Sequence, residues 1–450
     1  MRARSSERHL ARGDGPMPFP DGRPAVLLQN ARIFDGRGGT LSAPSSVRVR
    51  GSLIERISTA PIPPEDGAGT PVIDCGGRVL MPGLIDAHWH SMFAVLPVTV
   101  AMTADIGYVN LVAGRNAERT LLRGFTTVRD LGGPVFGLKR AIDEGLVAGP
   151  RIYPSGAFIS QTGGHGDFRM LSELPRDGSG PLSYTEQMGA AAIADTPDEV
   201  RLRAREQLMR GASQLKLMAG GGVSSQYDPL DATQYTGPEL RAAVEAAENW
   251  GTYVTVHAYT PKAIQQAIAA GVRCIDHGQL ADEPTVKLMK ERDVWWSLQP
   301  FLDDADATPM PDEARRAKQR EISAGTDRAY ALAKKHGVRL AWGTDVLFEP
   351  RLAERQGARL AKMARWFTPA QVLRMATGDN AALLALSGPR NPYPGTLGVI
   401  EEGALADLLV LSGDPLEDLR LFEDPEKNLL LIMKDGVLFK DRLSPGGPGK

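Results

Sequence analysis

The segment VLMPGLIDAHWH, residues 79–90, decides the fold. It is an apolar run that closes on two histidines, His88 and His90, with one residue between them. In an extended strand residues i and i+2 share a face, so both imidazoles point one way and Trp89 points the other. An apolar strand with a chelating pair at its carboxyl end is what a buried parallel sheet with chemistry at its rim requires. Working outward, seven more runs have the same character: GFTTVRDL, RIYPSGAFI, SQLKLMA, TYVTVHA, VRCIDHG, VWWSLQP and VRLAWGTD. Amphipathic stretches alternate with them, the rhythm of repeated βα units.

The intervening helices carry start and stop chemistry. Thr196-Pro197 with Glu199, Thr236 with Glu239, Thr260-Pro261, and Thr368-Pro369 with Gln371 each place a capping hydroxyl ahead of Pro or Glu/Gln. Those residue types satisfy or avoid the orphan amides of a first turn. Gly211, Gly251 and Gly271 stand where helices would end. Eight strands in this order predict an α/β fold, a TIM-type (β/α)8 barrel over residues 81–390. Short β runs punctuated by Gly and Asp fill residues 23–80 and 391–450, and they are predicted to pair into one small discontinuous β-sandwich domain. Residues 1–22 are basic and polar without the apolar core of a secretory signal, and are expected to be a disordered tail. Met17 is an alternative start to Met1, which would remove His9.

Two connections break the rhythm. Residues 160–196 form a long Gly-rich link after the third strand, and residues 301–312 an acidic one after the seventh. Both leave the carboxyl ends of strands, where loops of that length act as lids or binding loops.

Composition narrows the function. A formal charge of -2 over 450 residues offers no basic field for phosphates, so nucleic-acid binding is not expected. No run of about 18 apolar residues is present, so no membrane partner is expected either. Cys75 and Cys274 are the only cysteines, too far apart for a metal knuckle or disulfide framework, which fits a reducing, cytoplasmic setting.

Four of the seven histidines, His88, His90, His257 and His277, fall at strand ends, and Asp345 closes the eighth strand. Five such residues on one barrel rim form a metal constellation. Lys216 lies among apolar neighbours on the fourth strand, where burial lowers its pKa. Its neutral amine is expected to take up carbon dioxide and become a carbamate, an anion able to bridge two ions. Four imidazoles, one carboxylate, one carbamate and one hydroxide then bring three negative charges against the four of two divalent cations. Nitrogen and oxygen donors without thiolate suit Zn2+.

PGLIDAHWH, the Lys216 strand, the two single-histidine strands, GTD and the closing GTLGVIEEGALADLLVLSGDP together resemble the amidohydrolase superfamily, over about residues 25–440. The fragments KLMAGGG, TGGHGD and HAY resemble its group of Xaa-Pro dipeptidases, basic-residue carboxypeptidases and ochratoxin-type amidases, with imidazolonepropionase more distant. The resemblance implies that His88, His90 and Asp345 hold one metal and His257 and His277 the other, with carboxylated Lys216 and a hydroxide bridging them. It implies that the hydroxide attacks an amide carbonyl, and that Asp345 takes the water's proton and passes it to the leaving amine. Deaminases of the superfamily follow the fifth-strand histidine with a Glu; here the sequence is His257-Ala258-Tyr259-Thr260-Pro261. The expected reaction is therefore binuclear amide hydrolysis, with a cyclic-amide hydrolase or deaminase as the alternative and a silent metal-binding scaffold as a second.

Tyr259 follows His257 by two and shares its face. The resemblance implies that His165 and Tyr259 contact a terminal carboxylate of the substrate, as in a dipeptide or N-acyl amino acid. The expected partners are that small molecule and further copies of the chain in a homo-oligomer. Gly220-Gly221-Gly222 lacks the Lys-Ser/Thr of a phosphate cradle and reads as a flexible strand-end loop. His9 and His336 read as structural or exposed, and Trp295-Trp296 as core.

Overall fold

A computed structural model describes residues 25–64, 70–175 and 181–448. The expected tail at residues 1–22, with Met17 and His9, lies outside them.

Eight parallel barrel strands run in chain order: Leu84–Trp89, Phe125–Asp130, residues 151–160, Leu215–Met218, Val254–Ala258, Cys274–His277, Trp295–Ser297 and Leu340–Ala341. Ladder pairing places them in two arcs. The third strand belongs to both, because Arg151–Pro154 pairs with the second strand while Phe158–Ser160 pairs with the fourth. Its break is bridged by Ser213 N donating to Pro154 O at 2.7 Å. At the opposite seam Ala87 N donates to Trp342 O at 3.1 Å, which sets the eighth strand beside the first. The core between ring and helices is fully buried at Leu217, Val256, Ile275, Trp296 and Trp342. Each such side chain contributes about 1.5–3 kcal/mol through removal from water.

The helices face this core with small and branched residues. In Pro261–Ala270, Ala263, Ile264, Ala267 and Ile268 are buried, two adjacent pairs four residues apart and hence one stripe. Thr196 caps its helix by accepting from Glu199 N, and Thr368 with Gln371 forms a reciprocal capping box. Thr260 departs from expectation. It occupies the cap position, but its hydroxyl makes no cap bond and is buried without a partner among the described residues.

Two further expectations are corrected. Residues 79–90 are not one strand: Val79–Pro82 joins the terminal sheet and Leu84–Trp89 starts the barrel. Gly83 makes that break, since a Cβ there would sit 2.0 Å from Thr126 Oγ1. Residues 160–196 are not simply a loop, for they contain the helix Tyr184–Gln187 and the strand Ala191–Ile193, which extends the barrel sheet beside Phe158–Ser160. As expected, the strands of the two chain ends come together apart from the barrel, eight strands in all, in which Leu408–Leu411 pairs with Val79–Pro82 and Val26–Ile33 carries the remaining N-terminal strands. Leu28, Val47, Ile54, Val410, Leu431 and Met433 share one core. Arg151 fastens this sheet to the barrel through two bonds to buried Asp407, at 2.9 and 3.2 Å.

Candidate active site

Parallel register lifts the candidate residues to one rim. Met218 lies opposite His257 and Ala258 opposite His277, while Lys216, two positions lower on its strand, lies opposite Thr255. At the seam, Asp345 N donates to His88 O at 2.8 Å, bringing the acid of the last strand to the histidines of the first. Asp345 and His277 both have left-handed backbones, with φ of 51° and 75°. Non-glycine residues adopt that region at a cost, and it concentrates where side chains are aimed for function. Trp296 Nε1 holds the second of them by donating to His277 O at 2.6 Å.

Asp345 Oδ1 is 3.0 Å from His88 Nε2 and 3.2 Å from His90 Nε2, so His88, His90 and Asp345 form a compact group whose ligand atoms lie within 4.8 Å of one another. His277 Nδ1 is 4.0 Å from Asp345 Oδ2. The His277 ring centroid lies 4.9 Å from that of His88 and 4.5 Å from that of His257. All four rings are buried. Burial pulls the pKa of His88, His257 and His277 down, His277 to about 3, so these rings are neutral and offer lone pairs. Burial opposes ionisation of Asp345, but His88, His90 and His277 outweigh it and hold the carboxyl well below its usual range.

Three of the rings have one nitrogen opposite an oxygen acceptor. His257 Nε2 is 3.0 Å from Gly221 O, His277 Nδ1 is 2.8 Å from Gln299 Oε1, and His90 Nδ1 is 3.5 Å from Gly132 O. Such partners select the tautomer and leave the other nitrogen for a metal. Four imidazoles and one carboxylate, buried and arranged this way, fit divalent cations.

Lys216 is buried below this rim and points at Asp276, with Nζ 2.5 Å from Oδ2. Asp276 was not singled out from the sequence. It also accepts from Arg129 Nη2 at 2.7 Å and from Thr255 Oγ1 at 2.8 Å, so it ties the second, fourth, fifth and sixth strands together. Burial alone would raise its pKa, yet Lys216 and Arg129 drive it far below the carboxylate range. Burial lowers the pKa of Lys216 despite Asp276. Since Arg129 already neutralises Asp276, the lysine amine can lose its proton without orphaning that charge.

Two more missed residues set the geometry. Asp86, fully buried, accepts from His88 N, Thr344 N, Thr344 Oγ1 and Gln356 Nε2, pinning the first strand to the eighth on both sides of the seam. Arg359 donates to Thr344 O at 2.9 Å and to Asp306 O at 2.8 Å, tying the 301–312 connection to the residue before Asp345. A charged residue inside an apolar strand was the available signal for Asp86, Arg129 and Asp276.

His165 and Tyr259 reach the same place. The His165 ring stacks on His257 at 4.2 Å and 25°, and its Nδ1 is 2.7 Å from Ser225 Oγ. Tyr259 stands edge-on to His257 at 4.9 Å and lies 5.1 Å from His277. Burial raises its phenol pKa well above normal, so it is a neutral hydrogen-bond donor. Gly220-Gly221-Gly222 is packed, not a flexible loop. A Cβ on Gly221 would be 1.8 Å from Pro229 O, and one on Gly222 would be 2.1 Å from the His165 ring. His336 is 3.0 Å from Glu283, remote from the rim, and Trp295 and Trp296 are core.

The sequence model of the amidohydrolase family matches residues 79–438. Ochratoxinase from Aspergillus niger is 33% identical over 387 residues, 82% of this chain and 76% of that protein. A crystal structure of a prolidase complexed with N-methylphosphonate-L-proline superposes with a TM-score of 0.84 at 36% identity, covering 93% of this chain and 100% of the other. A Xaa-Pro dipeptidase crystallised with bound methionine in its active site gives a TM-score of 0.79 at 28% identity over 92% and 100% of the two chains. A family match across four fifths of the sequence, on a ring that gathers His88, His90 and Asp345 at its rim, leaves one assignment: the chain belongs to the amidohydrolase family.

Proposed function

We propose that this protein hydrolyses the amide bond of a dipeptide or N-acyl amino acid that carries a free carboxylate. The observation that carries the reading is the meeting of four buried imidazoles and Asp345 at the carboxyl rim above Lys216, with His165 stacked on His257 and Tyr259 edge-on to it. His88, His90 and Asp345 would hold one divalent ion, and His257 and His277 the second. Lys216, as a carbamate, would lie between them. Zn2+ suits this donor set. When bound, such ions supply Lewis acidity that polarises the scissile carbonyl and lowers the pKa of the attacking water.

The chain's own groups do the rest. Asp345 Oδ1 is engaged by His88 and His90, which leaves Oδ2 to accept the proton of the attacking water and return it to the leaving nitrogen. The Asp345 side chain is 20% exposed, so the substrate reaches it from the rim. Tyr259 donates its phenol hydrogen, and His165 an imidazole N–H, to the substrate carboxylate. The 301–312 connection, fixed by Arg359, reaches the site at Phe301, whose ring lies 6.0 Å from that of His277.

The two cysteines are buried thiols, which supports a reducing, cytoplasmic setting. None of the described helices is long and apolar enough to cross a membrane. A homo-oligomeric assembly completes the proposal, and light scattering of the purified protein checks it.

The deciding experiment is a screen of dipeptides and N-acyl amino acids against the zinc-loaded chain. Release of a free amine together with a new carboxylate is the expected result. Ammonia release with no new carboxylate would reassign the protein as a deaminase.

A further inference from the structure

His88 and His277 come from the first and sixth strands, and the reading above gives them to different metal ions. Among the described residues one side chain lies within hydrogen-bonding distance of both. Gln299, fully buried just past the seventh strand, places Oε1 2.8 Å from His277 Nδ1 and Nε2 3.2 Å from His88 Nδ1. The orientation of this amide is fixed by a third contact, because Nε2 also lies 2.9 Å from Ser297 O, and a carbonyl oxygen only accepts. The group facing Ser297 is therefore the NH2, and the group facing His277 is the amide oxygen.

That oxygen accepts only, so His277 Nδ1 carries the hydrogen and Nε2 keeps its lone pair. On His88 the same amide places its NH2 3.2 Å from Nδ1, so in the metal-free chain the His88 hydrogen sits on Nε2 and faces Asp345 Oδ1 at 3.0 Å. Gln299 thus holds both rings from behind, and no other described side chain is hydrogen-bonded to two of the four histidines from that side.

We infer that Gln299 is a positioning residue that fixes the His277 tautomer, so that His277 Nε2 keeps its lone pair for a metal ion. The inference rests on the proposed function in taking His277 as a metal ligand. Its prediction is specific: the acceptor at Oε1 matters, and the volume of the side chain does not.

The test uses the full-length chain stripped with a chelator and titrated with Zn2+, bound metal being counted by elemental analysis and affinity read from competition with a chromogenic chelator. Gln299→Met keeps the length and removes donor and acceptor. It is expected to weaken Zn2+ binding by about 10–100-fold, the usual effect of removing such a supporting contact. Gln299→Glu keeps an acceptor and is expected to stay much closer to the native affinity than Gln299→Met. Native affinity in Gln299→Met, or equal losses in the two variants, would overturn the inference. If Gln299→Met does not fold, histidine 15N spectra of the metal-free native chain decide: the Nδ1–H tautomer at His277 supports the assignment and the Nε2–H tautomer refutes it. A native chain that takes up no Zn2+ would instead sink the proposed function, and the tautomer measurement, made without metal, still judges Gln299.

Discussion

Substituting Gly222 by alanine tests the substrate end of the site without removing any functional group. A Cβ built at this position lies 2.1 Å from two atoms of the His165 ring and 2.6 Å from a third, where ordinary contact needs 3.4–4 Å. The ring must therefore retreat by more than an ångström, or the backbone must. His165 has little room, because its face is stacked 4.2 Å from His257 and its Nδ1 is held 2.7 Å from Ser225 Oγ. Overpacking of this kind costs about 1–3 kcal/mol. Expressed in substrate affinity at about 1.4 kcal/mol per decade, that is roughly 5- to 140-fold. If His165 receives the substrate carboxylate, the loss falls on KM for a dipeptide and is small for the same dipeptide with its carboxylate amidated. Steady-state kinetics on the two substrates, with thermal melting to confirm an intact fold, make the measurement. Native kinetics on the free acid, or equal losses on both substrates, would refute the placement of His165 at the carboxylate.

Lys216→Ala is expected to lose the second metal ion and nearly all turnover, read by metal analysis and initial rates; normal hydrolysis would remove Lys216 from the site. Asp345→Asn should retain some metal while kcat collapses, since it keeps a ligand oxygen and loses the proton acceptor. Arg129→Met leaves Asp276 buried without its guanidinium partner, and breaking such a pair costs about 3–5 kcal/mol, visible as a lower urea midpoint. Cys75 and Cys274 are both buried, and burial pushes the Cys75 thiol up to about 12, so neither presents a thiolate at pH 8. Ellman's reagent should then react slowly with the folded protein and count two thiols after unfolding, and rapid reaction of either in the native state would contradict the packing.

The barrel was legible because its signal is local. Each strand is an apolar run and each helix carries its own cap, so the eight units could be counted one at a time. The rim histidines and Asp345 were legible for the same reason, being polar residues at the ends of apolar runs. Residues 79–90 misled because apolarity continues across Gly83, and only the close approach of Thr126 reveals the turn. The 160–196 segment hid the short strand Ala191–Ile193, whose three residues are ordered by pairing with Phe158–Ser160 rather than by any propensity of their own. Asp276, Gln299 and Arg359 escaped because their meaning is a meeting: Asp276 matters through Arg129 and Lys216, on strands 147 and 60 residues away. The triple glycine escaped because flexibility and tight packing call for the same residue.

The seam between the first and eighth strands also bears on how this molecule comes into being. His90 and Asp345 lie 255 residues apart in the chain, and the bond from Asp345 N to His88 O forms only when the last βα unit docks against the first. A chain emerging in order from the ribosome has both N-terminal histidines in place long before their carboxylate exists. An incompletely assembled barrel therefore lacks the compact His88–His90–Asp345 cluster, and a metal ion held there would report that the ring has been completed. With an ion bound there as proposed, its occupancy would double as a quality mark on the finished fold, withheld from truncated or half-built copies.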